Sequence, residues 1–297
     1  MLSSRTVARL AIVLYGVLLF LLAAMARFSL RLSYLIPLLL PLAIIQRNAK
    51  QFLVQWSPFY LVIVFYDALR GIADELGARV DYTTLPAIER WLFGGTLPTI
   101  WLQAHLNGLL GGWLGWVMTV FYFGHFLLPV AICYMFWRRD RQAFRLTMTS
   151  IVLLSLMGFV TFLLYPAAPP WLAGKVGVIP PVTHWITVQL KAMFAWDRLP
   201  ALYLSMNPNW VAPMPSLHAG YPLALWLCVR RYAPRVGWGL FANAMIVAVM
   251  ITAFGEHYVI DVLAGWAYAW ASVRLTETLL RREPRPSGRG EGHGQTG

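Results

Sequence analysis

Ser216, His218, His257 and Asp261 are the side chains of this chain whose types and spacing suit chemistry on an anion. The stretch Met214-Pro215-Ser216-Leu217-His218 reads as a helix start, because a proline in the first turn gives up no needed N–H donor. Ser216 and His218 then fall where free N–H groups and the positive end of the helix dipole attract negative charge. In Glu256-His257-Tyr258-Val259-Ile260-Asp261 the histidine and the aspartate are four apart, which puts them on one face of a helix. A carboxylate there accepts a hydrogen bond from one ring nitrogen and leaves the other free to react. Two histidines and one aspartate at a helix-end anion site point to phosphoryl transfer. The competing reading is a facial metal set, which lacks a further carboxylate or His-Glu pair to complete it. No metal and no cofactor is therefore expected.

These residues must be brought together by the segments between them. Residues 219 to 231 run through apolar sequence, Arg231-Tyr232-Ala233-Pro234-Arg235 turns, and residues 236 to 255 return. Two crossings bring the chain back to its starting side, so both histidines face one site. Apolar runs elsewhere also reach the ~20 residues that span a bilayer. They are expected at 8–26, 30–46, 52–70, 113–137, 144–165, 214–231, 236–255 and 257–276. The fold class expected is all-α, a polytopic membrane bundle of about eight transmembrane helices. Residues 1–71 form N-terminal helices, 72–112 an extracytoplasmic or interfacial segment, 113–276 the core, and 277–297 a disordered cytoplasmic tail. The connection 166–212 holds Pro166-Ala167-Ala168-Pro169-Pro170-Trp171 and a short amphipathic piece near 184–196.

Composition supports this reading: 59% of the 297 residues are hydrophobic and 12% are charged. A net charge of +12 raises nucleic acid as a partner, but the basic residues sit in short loops between apolar runs, as the positive-inside rule requires. No nucleic-acid partner is expected. With both termini cytoplasmic, about two thirds of the 24 Lys and Arg fall inside. The histidine motifs then open on the extracytoplasmic side of the cell membrane. Cys133 and Cys228, both in apolar segments, read as small buried hydrophobes.

The two histidine motifs together resemble the type-2 phosphatidic acid phosphatase superfamily, within it the branch of fungal inositol phosphorylceramide synthase and its actinobacterial relatives. Tyr66-Asp67-Ala68-Leu69-Arg70-Gly71, Tyr122-Phe123-Gly124-His125-Phe126 and Tyr165-Pro166-Ala167-Ala168-Pro169-Pro170-Trp171 also look like that branch. The likeness covers roughly 60–270. Three departures stand out. Leu217 replaces the glycine usual between the serine and the histidine. Ile251 stands where an arginine usually precedes the second histidine by six residues. The Lys and Arg-Pro of the superfamily's first motif have no clean counterpart. Another cation must neutralise the phosphate, from Arg70, Lys175, Lys191 or Arg198. Arg70 is favoured, since a cation at a helix end inside a bundle is costly without a partner.

The resemblance implies an integral-membrane phosphotransferase acting on phospholipid or lipid-phosphate substrates. His257, oriented by Asp261, attacks phosphorus to give a phosphohistidine. His218 protonates the leaving oxygen and later takes the proton of the incoming hydroxyl. Ser216, backbone N–H groups and a cation hold the non-bridging oxygens. His125 contacts substrate or packs, while His105 and His184 read as packing residues. Simple lipid-phosphate hydrolysis is the alternative within this class, and a non-enzymatic transporter or scaffold the alternative outside it. A serine hydrolase is weaker, lacking the Gly-x-Ser-x-Gly elbow.

Overall fold

The computed structural model describes residues 35–73, 80–194 and 211–282, and every regular element among them is helical. The apolar segment expected at 8–26 lies outside the described residues. A 3₁₀ turn at Pro37–Leu39 leads into α1 (Leu40–Ile45), and Pro37 and Pro41 keep this second segment from forming one long helix. α2 (Ala49–Ala73), α3 (Thr84–Leu92), α4 (Pro98–Leu110), α5 (Trp113–Arg139) and α6 (Arg141–Leu164) follow. α7 (Pro170–Lys175) and α8 (Trp185–Phe194) lie in the long connection. α9 (Leu217–Val229), α10 (Pro234–Ala253) and α11 (Val259–Arg282) complete the bundle.

The later five segments fall close to their expected places. α11 instead continues past 276 to Arg282, because Glu277 ties its last turns down. The carboxylate pairs with Arg231 at 2.5 Å and Arg274 at 3.3 Å, and Leu280 packs into the core. Among the described residues, α6 and α10 are each long and apolar enough to cross a membrane. α4 and the first half of α5 meet that test as a pair bent by 113°. The segment expected at 72–112 thus ends in α4, which turns sharply into α5 at Gly111-Gly112. About eight crossings remains compatible with this helix set.

α9 is the central helix. Leu217–Val229 has no charged residue, and a helix apolar on all sides is buried on all sides. It packs against α5, α6, α10 and α11. Ser155 on α6 hydrogen-bonds Tyr221 on α9 at 2.8 Å, and Thr161 on α6 bonds Tyr268 on α11 at 2.8 Å. Cys133 and Cys228 are buried free thiols in the same core, as expected. Leu217, the departure from the usual glycine, packs on α6 at Gly158, where an added Cβ would lie 3.0 Å from the leucine Cδ2. The small residue at 158 makes the room that the large one at 217 takes up.

The start of α9 meets the first turns of α11 at very close range. A Cβ on Gly265 would come 2.2 Å from the Ser216 carbonyl oxygen, so only glycine permits this approach. The Ser216 N–H donates to the Asp261 carbonyl at 2.9 Å, locking the two helix starts together. That contact decides where both histidine motifs sit.

Candidate active site

Ser216 is the N-cap of α9, and its Oγ accepts from the Ala219 N–H at 3.3 Å. Pro215 therefore precedes the cap rather than occupying the first turn, and His218 is the second helical residue. With Oγ committed as an acceptor, the Ser216 hydroxyl still has a proton to donate. The side chain is fully buried.

His257 comes just before α11 and Asp261 lies in its first turn, so the pair meets across the helix start, not along one helical face as expected. Asp261 Oδ2 accepts from the Tyr258 N–H at 2.8 Å, the backward half of a capping box. The same oxygen lies 3.6 Å from His257 Nδ1. Asp261 Oδ1 and His257 Nδ1 are buried with no hydrogen bond. The reason for the offset is local: the carboxylate serves the helix cap and the imidazole together.

His218 and His257 face one another, with Nδ1 of the first 2.8 Å from Nε2 of the second. Tyr122 on α5 brings its hydroxyl to 3.4 Å from His218 Nε2. One tautomer assignment serves all these contacts. Tyr122 O–H donates to His218 Nε2, His218 Nδ1–H donates to His257 Nε2, and His257 Nδ1–H points to Asp261. His257 and Asp261 are buried and His218 is half-buried, so the cluster opens at His218.

His125 is buried, its Nδ1 pairs with the Tyr122 carbonyl, and its ring meets that of His218 edge-on at 4.4 Å. It backs His218 from inside the bundle. Arg70 lies on α2, whose backbone is described there while its side chain is not. Lys175 and Lys191 are exposed on α7 and α8, and Arg198 lies outside the described residues.

Two groups escaped the sequence reading. The first is a His-Glu pair beside the site, against the expectation that none accompanies it. His184 Nε2 is 2.6 Å from Glu256 Oε1, and the imidazole stacks on Trp171 at 4.6 Å and 11°. The connection carrying both is pinned to the turn before His257. Trp171 N–H donates to the Gly255 carbonyl at 3.0 Å and Trp185 N–H to that of Phe254 at 3.1 Å. Gln103 on α4 adds bonds from Nε2 to the carbonyls of Thr183 (2.8 Å) and Ala253 (2.9 Å). Gly255 turns here at φ +79°, a conformation that favours glycine. Among the described residues, no three His, Cys, Asp or Glu side chains converge as a metal set.

The second is Glu89 on α3, fully buried, whose Oε1 accepts from the Val259 and Ile260 N–H groups at the start of α11. Burial raises its carboxyl from 4.5 to about 7; the Val259 N–H opposes this and the Asp261 charge adds to it. Glu89 follows Leu85 by four residues, so the helical period places it on the buried face. A carboxylate in that position was the available signal. Asp81 behaves oppositely. Burial would raise it, but hydrogen bonds from Thr84, Thr83 and Tyr165 win and hold it well below the usual carboxylate range.

With this geometry in hand, known proteins offer a comparison. The family described as the PAP2 superfamily matches residues 83–275. The chain is 26% identical over 271 residues to a protein of Bacteroides thetaiotaomicron named phosphoinositol dihydroceramide synthase, across 83% of this chain and 84% of that one. No solved structure matches it.

Proposed function

Because the chain belongs to the PAP2 superfamily, we propose that it is a membrane enzyme moving a phosphoryl-linked head group, phosphoinositol, from a phospholipid to a lipid hydroxyl. The observation that carries this is the 2.8 Å approach of His218 Nδ1 to His257 Nε2, with Asp261 behind the second ring. His257 Nε2 attacks phosphorus and the bond to the diacylglycerol oxygen breaks, while His218, entering this step as imidazolium, delivers a proton to that oxygen and is left neutral. The acceptor hydroxyl then loses its proton to His218 as its oxygen displaces Nε2 from phosphorus. For phosphorus to enter, the contact between the two rings must open, and the half-buried His218 is the ring with room to turn. Tyr122 and His125 position His218. Ser216 and a cation, Arg70 by preference, hold the non-bridging oxygens. No metal or cofactor takes part. Both termini are cytoplasmic and the site faces the extracytoplasmic leaflet, where it meets its phospholipid substrate within the bilayer.

The likeness to a phosphoinositol dihydroceramide synthase supports transfer over hydrolysis. Purified protein given phosphatidylinositol and a ceramide should yield diacylglycerol and an inositol-phosphate-bearing ceramide by mass spectrometry. Water-soluble inositol phosphate as the sole product would favour the hydrolase, and no turnover of either kind would sink both.

The two outcomes differ in whether water reaches the phosphohistidine. Trp171, stacked on His184 beside the His257 turn, is placed to keep it out. Trp171→Ala should raise the ratio of hydrolysis to transfer several-fold, roughly 5-fold or more. An unchanged product ratio would remove this role from the connection.

A further inference from the structure

Glu89 is placed where nothing in the phosphoryl-transfer chemistry asks for it. A second carboxylate near Asp261 repels the phosphate that the site must hold, so its burial needs another reason. The contacts supply one. α3 lies outside the helical pairs that hold the bundle together, and it packs on α11. Its one fully buried ionisable side chain reaches the first two N–H groups of α11. Asp261 takes the next N–H back, that of Tyr258. Two carboxylates from different elements therefore divide the free donors at one helix start, where the dipole favours negative charge. His257 is attached to that start by a single residue, Tyr258.

We infer that Glu89 is a positioning residue that sets His257 and Asp261 in register with His218 by holding the first turn of α11. This rests on the phosphotransfer reading above. Without the Glu89 acceptor, Val259 and Ile260 lose their partner and the Asp261 carboxylate is left to serve three N–H groups. It can do so only by moving away from His257, which it already meets at no closer than 3.6 Å. Glu89 Oε2 is buried without a hydrogen bond, as are Asp261 Oδ1 and the Tyr258 hydroxyl. The charge of Glu89 thus acts directly on its neighbours. Asp261 faces that charge directly, and Tyr258 feels it together with the charges of Asp261, Arg90 and Asp81. Tyr165 at the end of α6 lies within reach of Asp81 and Asp261.

The test compares Glu89→Ala, Glu89→Gln and His257→Gln in the purified full chain, with phosphatidylinositol and ceramide. Glu89→Ala should lower kcat about 30-fold or more, with KM within about 2-fold, since positioning enters through the transition state. Glu89→Gln keeps an acceptor oxygen and should recover to within about 5-fold of wild type at low pH. Ionised Glu89 favours the positive imidazolium that forms on His257, so wild-type kcat should gain on the glutamine variant as pH rises through about 7. The stability sign is the reverse. A raised carboxyl pKa contributes stability at low pH that is lost as pH climbs from 4.5 to about 7, so the glutamine variant should become progressively more heat-stable than wild type across that window. Wild-type kcat in Glu89→Ala, equal damage from both Glu89 variants at every pH, or a change confined to KM would each overturn the inference. If Glu89→Ala does not fold, the glutamine variant and its pH profile decide. An active His257→Gln would instead bring down the phosphotransfer reading itself.

Discussion

Exchange of His257 for glutamine is expected to lower turnover on the order of ten-thousand-fold while the protein remains folded, since it removes the atom that bonds phosphorus. Glutamine approximates the size of the ring, and His257 packs at a turn fixed by Gly255 and by the Trp171 and Trp185 backbone bonds rather than by its own imidazole. The loss is therefore one of chemistry and not of architecture. Wild-type protein quenched during turnover of phospholipid labelled at phosphorus should carry acid-labile, alkali-stable label, and the variant none. His218→Gln should behave differently. Its defect lies in proton delivery to the leaving oxygen, so a substrate with a more acidic leaving group should restore the first step in part. Label on a His257→Gln protein, or turnover near the wild-type rate, would remove His257 as the nucleophile.

Gly265→Ala is expected to damage activity and stability together, for a purely steric reason. The added Cβ would stand 2.2 Å from the Ser216 carbonyl oxygen, 3.1 Å from its carbon and 3.3 Å from its nitrogen. These are backbone atoms of a buried helix cap and cannot rotate away as a flexible side chain would. α9 and α11 must separate, and the Ser216 N–H to Asp261 carbonyl bond stretches with them. Overpacking of this kind costs about 2–3 kcal/mol. A displacement of about 1 Å between His218 and His257 lowers kcat by roughly 100-fold. Gly239→Ala on α10 is the control, because nothing lies within 4 Å of its added Cβ. That exchange should be neutral or slightly stabilising, as in any open helical position. Thermal denaturation in detergent and turnover, measured on both variants, separate the two cases. Equal behaviour of the alanine variants would refute the close approach of the two helix starts.

Much of this protein was legible from local pattern. The uncharged run Leu217–Val229 fixed a buried helix, and Arg231-Tyr232-Ala233-Pro234-Arg235 fixed a turn with proline opening the next helix. The count of crossings between His218 and His257 then brought both rings to one end of the bundle, where they meet at 2.8 Å. Helical period and loop chemistry are properties of neighbouring residues, so a single sequence carries them in full. Even the departure at Leu217 had its compensation within the chain, although Gly158 could be matched to it only after α6 and α9 were seen packed together.

The partners of the site were another matter. Tyr122 and His125 back His218 from α5, Glu89 reaches α11 from α3, and His184 finds Glu256 from the far side of the long connection. Each of these contacts joins side chains far apart in the chain, through turns whose direction no periodic pattern encodes. The meeting of His257 with Asp261 across a helix start, rather than down its face, depended on where α11 begins, and Glu89 and the Tyr258 N–H set that point. The sequence by itself determined an all-helical membrane bundle and the meeting of its two histidines at one end of it, because hydropathy and helical period act locally. Only the tertiary structure decided which carboxylates, aromatics and glycines hold those histidines at bonding distance, because that choice is made by packing between elements remote in sequence.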